Sequence, residues 1–197
     1  MTAAPEAPIV LASASPRRRE LLAMLGIPFR VAVPDVDETP RASELPEAYV
    51  TRLAREKARA VAAREPRAVV LAADTTVVLR GRMFGKPATP EEAAAMLRRL
   101  QGRRHQVLTA VAVARDGRVE HALDATDVTF RRASDEEIAS YVATGEPLDK
   151  AGGYAIQGKG AALVEGIRGD FFGVMGLPLR LALALLERFG VPYRFTR

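Results

Sequence analysis

The sequence contains no cysteine and no tryptophan, only 6% of its residues are aromatic, and lysine is scarce. Each scarcity excludes something. Without cysteine there is no disulfide framework, thiolate zinc site or cysteine nucleophile, and a cytoplasmic setting is expected. No stretch approaches the ~18 consecutive apolar residues of a membrane span, and residues 1–7 lack the basic region of a signal peptide. A soluble, unexported protein with no membrane partner is therefore expected. Scarce aromatics leave few stacking platforms for single-stranded nucleic acid, although the net charge of +5 favours polyanions. A small phosphorylated ligand satisfies that charge equally well.

What remains is ample for a core: 197 residues, 48% of them apolar, can bury roughly 70% of the unfolded surface. Residues 1–8 are expected to be a disordered or extended lead-in and residues 9–197 a single domain. Ile9–Ser13 has the pattern of a buried strand feeding a helix capped by Ser15 with Pro16 in its first turn. A long helix is predicted from about Pro46 to Arg64, and a strand from Ala68 to Leu79 that is interrupted at Asp74-Thr75-Thr76 and turned back by Arg80-Gly81-Arg82. Arg115-Asp116-Gly117-Arg118 predicts a hairpin, and Thr89 to Glu92 and Ser134 to Glu137 are capping boxes opening two more helices. Eight glycines from Gly152 to Gly176 predict loops and short strands before a last helix reaching Phe189. Strands alternating with helices around a hairpin give an α/β fold with a mixed β-sheet and flanking helices.

Three features break the patterns around them. At about 100° per residue, Lys57 falls in the middle of the apolar face of the long helix, so an ammonium directed into a cleft is favoured over one snorkelling to solvent. Asp74 follows the run Val69-Val70-Leu71-Ala72-Ala73, where a carboxylate is costly unless it is paired or bound to metal, which points to a metal ligand or general base. Ser13-Ala14-Ser15-Pro16-Arg17-Arg18-Arg19 places hydroxyls, free amides and guanidinium groups at one helix N-terminus. Arginine there opposes the helix dipole unless an anion lies between them, which favours phosphate binding. The acidic loop of Asp35, Asp37 and Glu38 matches no calcium-loop spacing, and Gly81 to Lys86 fails as a P-loop because Pro87 replaces its Ser or Thr. His105 and His121 have no zinc-ligand or nucleophile context and are expected to be structural or exposed.

Taken in order, these segments resemble the Maf-like nucleoside triphosphate pyrophosphatases. The matching stretches are Leu11-Ala12-Ser13-Ala14-Ser15-Pro16-Arg17-Arg18, Asp37-Glu38, Arg55-Glu56-Lys57-Ala58, Ala73-Asp74-Thr75 and Gly85-Lys86-Pro87. They continue through Leu148-Asp149-Lys150-Ala151-Gly152, Tyr154-Ala155-Ile156-Gln157-Gly158 and Val174-Met175-Gly176-Leu177-Pro178. The resemblance implies two lobes around a central cleft, an ITPase-like arrangement, in a homodimer. It implies hydrolysis of a nucleoside triphosphate to the monophosphate and pyrophosphate, within the branch acting on dTTP and UTP. By the same resemblance Asp74 is the proton acceptor, and Arg17, Thr75 and Gln157 are tied to substrate choice. Ser13, Arg17, Arg18, Lys57 and Lys86 are expected to meet the triphosphate. Glu38 and Asp74 are expected to hold a divalent metal cation, with magnesium the expected ion. Three alternatives share some of these features: a sibling acting on 7-methyl-GTP, one acting on modified or damaged nucleotides, and a nucleic-acid-binding or cell-division regulator. No stable nucleic-acid partner is expected, because such a surface has no need of Lys57 and Asp74 inside apolar faces.

Overall fold

A computed structural model describes residues 8–195; the predicted lead-in, apart from its last residue, lies outside the described residues. One seven-stranded sheet organises the chain. Its order is β2 (Phe29–Val31), β1 (Ile9–Ala12), β3 (Val69–Leu79), β5 (Arg104–Arg115), β6 (Arg118–Phe130) and β7 (Val164–Arg168), with β4 (Arg82–Phe84) paired beside β3. β1 runs parallel to both β2 and β3, and the remaining pairs are antiparallel, so the sheet is mixed as expected. The β5–β6 turn has positive φ at both Asp116 and Gly117, the geometry a two-residue hairpin requires.

Period-two alternation assigns each face of the sheet its helices. Val10, Ala12, Val70 and Ala72 pack under α2 (Pro46–Ala62) through Val50, Ala54, Ala58 and Val61. Ile9, Leu11, Val69, Leu71 and Ala73 face the opposite way, onto α1 (Pro16–Met24) and α6 (Leu179–Arg188), through Leu21, Leu22, Leu185 and Leu186. A separate core forms at the far end of the long strands. There Val77, Val107, Val128 and Phe130 meet α3 (Pro90–Leu100) and α4 (Asp135–Ala143) through Leu97, Leu100 and Ile138. These are the two lobes, and β3 passes from one to the other at Asp74-Thr75-Thr76.

The interruption expected at those three residues does not occur, because β3 keeps unbroken register with β5 from Val70 to Val78. The discontinuity lies on its other edge. β1 stops opposite Ala72 and antiparallel β4 ends opposite Val77, so among the described residues no strand covers positions 73–76 on that side. A notch therefore opens beyond the carboxyl end of β1, where an open α/β sheet with strand order 2-1-3 binds its ligands. The glycine-rich segment forms short 3-10 turns, β7 and one helix the sequence pattern had hidden, α5 (Phe171–Met175). Glycine is required at 152, where φ is +72° and a Cβ would approach Val77 to 2.7 Å.

Candidate active site

The notch widens into a cleft of about 570 Å³. All nine residues singled out from the sequence line it: Ser13, Arg17, Arg18, Glu38, Lys57, Asp74, Thr75, Lys86 and Gln157. Alternation places them in two groups. Asp74 shares the α2 face of β3 with Val70 and Ala72, and Lys57 projects from α2 onto it. The Lys57 Nζ lies 2.7 Å from Asp74 Oδ1 and 2.7 Å from Glu38 Oε1, so one ammonium bridges two carboxylates. Burial pushes the Asp74 carboxyl above its ordinary value, and the charges of Lys57 and Arg18 oppose that rise. Tyr49, also on α2, donates its hydroxyl to the Glu38 carbonyl at 2.9 Å; its phenol is pushed up to about 12, first by burial and then by the nearby Asp74 and Glu38 carboxylates.

Thr75 faces the other way, toward α1. Arg18 donates to Thr75 Oγ1 at 3.0 Å and to the Gly176 carbonyl at 2.8 Å. Thr109 donates to the Gly173 carbonyl at 2.8 Å, which leaves its oxygen to accept the Thr75 hydroxyl at 2.9 Å. The result is a directional chain from Arg18 through Thr75 and Thr109 to the backbone before α6. Burial lowers the Arg18 guanidinium from its usual range, with Asp74 working against that shift. Arg18 thus meets the cleft from a fixed position in its wall, whereas Arg17 reaches across to Asp149, donating to its Oδ2 at 3.0 Å. Ser13 Oγ accepts the Ser15 amide at 3.1 Å, and the Ser15 side chain caps α1 by accepting the Arg18 amide. Lys86 is exposed on the second lobe next to Gly85, whose carbonyl accepts the Gly152 amide at 3.0 Å. Gln157 is exposed on the same lobe.

Tyr49, Thr109, Asp149 and Tyr154 were not singled out from the sequence. Threonine and tyrosine are ordinary strand and core formers, so no break in pattern marks them. Asp149 does lie in a segment already matched, Leu148-Asp149-Lys150. His105 is structural: it is buried beside Phe130, with Nε2 3.0 Å from the Tyr154 hydroxyl, and burial pushes it down to about 4. His121 lies on β6, where partial burial also lowers it.

The donor set suits a hard cation. Glu38 and Asp74 are two carboxylates facing one open cleft, but among the described residues no three His, Asp or Glu side chains gather into a cage. Magnesium characteristically takes one or two carboxylates and completes its shell with substrate phosphates and water. The residues present fit such an ion.

Fold and cleft together define an open α/β protein with a cleft lined by cationic and hydroxyl side chains at the carboxyl end of its first strand. Residues 8–189 match the family described as Maf-like protein, and the chain belongs to that family. It is 60% identical over 185 residues to a dTTP/UTP pyrophosphatase of Myxococcus xanthus, covering 93% of each chain. It is 53% identical over 184 residues to the dTTP/UTP pyrophosphatase of Symbiobacterium thermophilum, covering 93% of this chain and 95% of the relative. The fold is similar to that of the Staphylococcus aureus Ham1 protein, with a TM-score of 0.53 at 17% identity, covering 92% of this chain and 97% of that one. Among the described residues no helix is long and apolar enough to cross a membrane.

Proposed function

We propose that the protein hydrolyses dTTP and UTP to the monophosphate and pyrophosphate, with Asp74 as proton acceptor. The observation that carries this is the buried Lys57–Asp74 pair, with exposed Glu38 on the same ammonium, at the foot of a cationic cleft. A carboxylate raised by burial yet held ionised by an ammonium is a base closer to neutral pH than a free aspartate. Asp74 takes the proton of a water whose oxygen bonds to phosphorus at the α–β anhydride. The bridging P–O bond breaks, and pyrophosphate departs with its electron pair. Arg17, Arg18, Lys86 and the Ser13 hydroxyl meet the charge that grows on the leaving group, which is where stabilisation accelerates the step. Lys57 keeps Asp74 ionised and oriented. Glu38 and Asp74 would hold magnesium, which supplies Lewis-acid polarisation of the phosphoryl oxygens.

Gln157 carries an amide donor beside a carbonyl acceptor, the complement of the N–H and carbonyl on the edge of uracil or thymine. Thr75, fixed by Arg18 and Thr109, and Arg17, poised on Asp149, complete the specificity set. The identity of 60% with a dTTP/UTP pyrophosphatase supports this substrate class over 7-methyl-GTP. Burial of Lys57 and Asp74 favours catalysis over a nucleic-acid-binding or cell-division role, which needs surface charge. A cytoplasmic homodimer is the setting proposed. The test is pyrophosphate release across canonical, 7-methylated and damaged triphosphates, with and without magnesium. Turnover of UTP and dTTP is expected, and hydrolysis of 7-methyl-GTP with UTP and dTTP left intact would overturn the assignment.

A further inference from the structure

The segment that presents Gln157 to the cleft is tied down by a group outside it. Neither Glu146 nor Tyr141 lines the cleft. Glu146 Oε1 accepts the Tyr141 hydroxyl at 2.8 Å and the Gly160 amide at 3.0 Å, while Oε2 accepts the Lys159 amide at 3.0 Å. The Tyr141 oxygen in turn accepts the Ala155 amide at 3.1 Å. Backbone amides two residues before Gln157 and two and three residues after it are thus gathered onto one tyrosine–carboxylate pair. The approach is close enough that a Cβ at Gly158 would collide with the Glu146 carboxylate, and one at Gly160 with the Tyr141 hydroxyl. Both glycines of Gly158-Lys159-Gly160 are explained by this clamp. Burial pushes the Glu146 carboxyl up, but the amides of Gly160 and Lys159 and the Tyr141 hydroxyl outweigh it and hold the group ionised.

We propose that Glu146 is a positioning residue for base selection, its carboxylate fixing both flanks of the segment from which Gln157 meets the pyrimidine edge. The proposal rests on Gln157 as the group that reads the base. Its chemistry is the restraint itself. The glutamine amide meets the N–H and the carbonyl of a uracil edge together only when its backbone is held at one place and angle. Every group facing Glu146 is a donor, so the isosteric Glu146→Gln sets an N–H against an N–H or O–H at one oxygen position and opens one side of the clamp.

The test compares kcat and KM for UTP and CTP in the wild-type protein, Glu146→Gln, Gln157→Ala and the double variant. Glu146→Gln is expected to lower the UTP-to-CTP ratio of kcat/KM about tenfold, mainly through a higher KM for UTP, with kcat within about twofold. The double variant is expected to match Gln157→Ala alone within about twofold, because Glu146 acts through Gln157. If Gln157→Ala lowers the ratio and Glu146→Gln does not, the clamp is overturned and base reading stands. If Gln157→Ala leaves the ratio unchanged, base reading by Gln157 falls and the clamp falls with it. Fully additive losses, or an equal fall in kcat for both substrates, would overturn the positioning role. Should Glu146→Gln not fold, Tyr141→Phe, which removes a single hydroxyl from the clamp, carries the same expectations.

Discussion

Lys57→Met removes the ammonium between Glu38 and Asp74 and keeps most of the side-chain volume. Lys57 and Asp74 have side chains only 7% and 9% exposed, so the aspartate is left charged, buried and unpaired. Breaking a buried ion pair from one side costs about 3–5 kcal/mol. The cleft is open and Glu38 is 58% exposed, which places this variant at the lower end, about 3 kcal/mol. For a chain of this size that is a fall in Tm of roughly 6–12 °C. The loss depends on pH. Burial already raises the Asp74 carboxyl, and without Lys57 it rises further. Between the ordinary aspartate value of about 4 and the raised value, the folded state binds more protons than the unfolded state, so stability falls as pH climbs through that window. Thermal unfolding of the variant and wild type at pH 5 and pH 8 is therefore expected to show the larger difference at pH 8. An equal difference at both pH values, or an unchanged Tm, would refute the pairing.

The acid limb of kcat/KM for UTP is expected above the ordinary aspartate range, because Asp74 must be ionised to take a proton and burial raises it; a pH–rate profile checks this. Lys57→Arg is expected to lower kcat at least about tenfold in a pyrophosphate-release assay, since a planar guanidinium does not reproduce one nitrogen held 2.7 Å from two carboxylates. Thr109→Val is expected to cost about 1–3 kcal/mol in denaturant unfolding, because it leaves the Thr75 hydroxyl without its acceptor and the Gly173 carbonyl with the Gly176 amide as its remaining donor.

Lys57 and Asp74 were legible in the sequence because each is a charge set into an apolar period, and alternation then places them on the same side of the sheet. Every helix but α5, the hairpin and the mixed sheet followed from caps, turn residues and periodicity. The notch was not legible, since it arises where β1 ends opposite Ala72 and β4 ends opposite Val77, a property of pairing rather than of any local pattern. Thr109 was hidden for a related reason: a fully buried threonine in a strand of Val and Ala keeps the strand's pattern, and its role exists only against Thr75. The Glu146–Tyr141 clamp joins residues in one capping and turn region to a glycine-rich segment whose composition announced only loops. The place of Arg18 at the α1 N-terminus is legible as an expected phosphate contact, whereas its bonds to Thr75 and Gly176, which brace the cleft wall, are not.

In the proposed reaction Asp74 takes the proton from the attacking water. Pyrophosphate release from UTP and dTTP by Asp74→Asn, a change of one oxygen to an amide nitrogen, tests it most directly. With magnesium present and the variant's Tm shown to be no lower than that of the wild type, turnover is expected to fall by about 10²–10⁴-fold. Turnover within a few-fold of the wild-type protein would place the base elsewhere in the cleft.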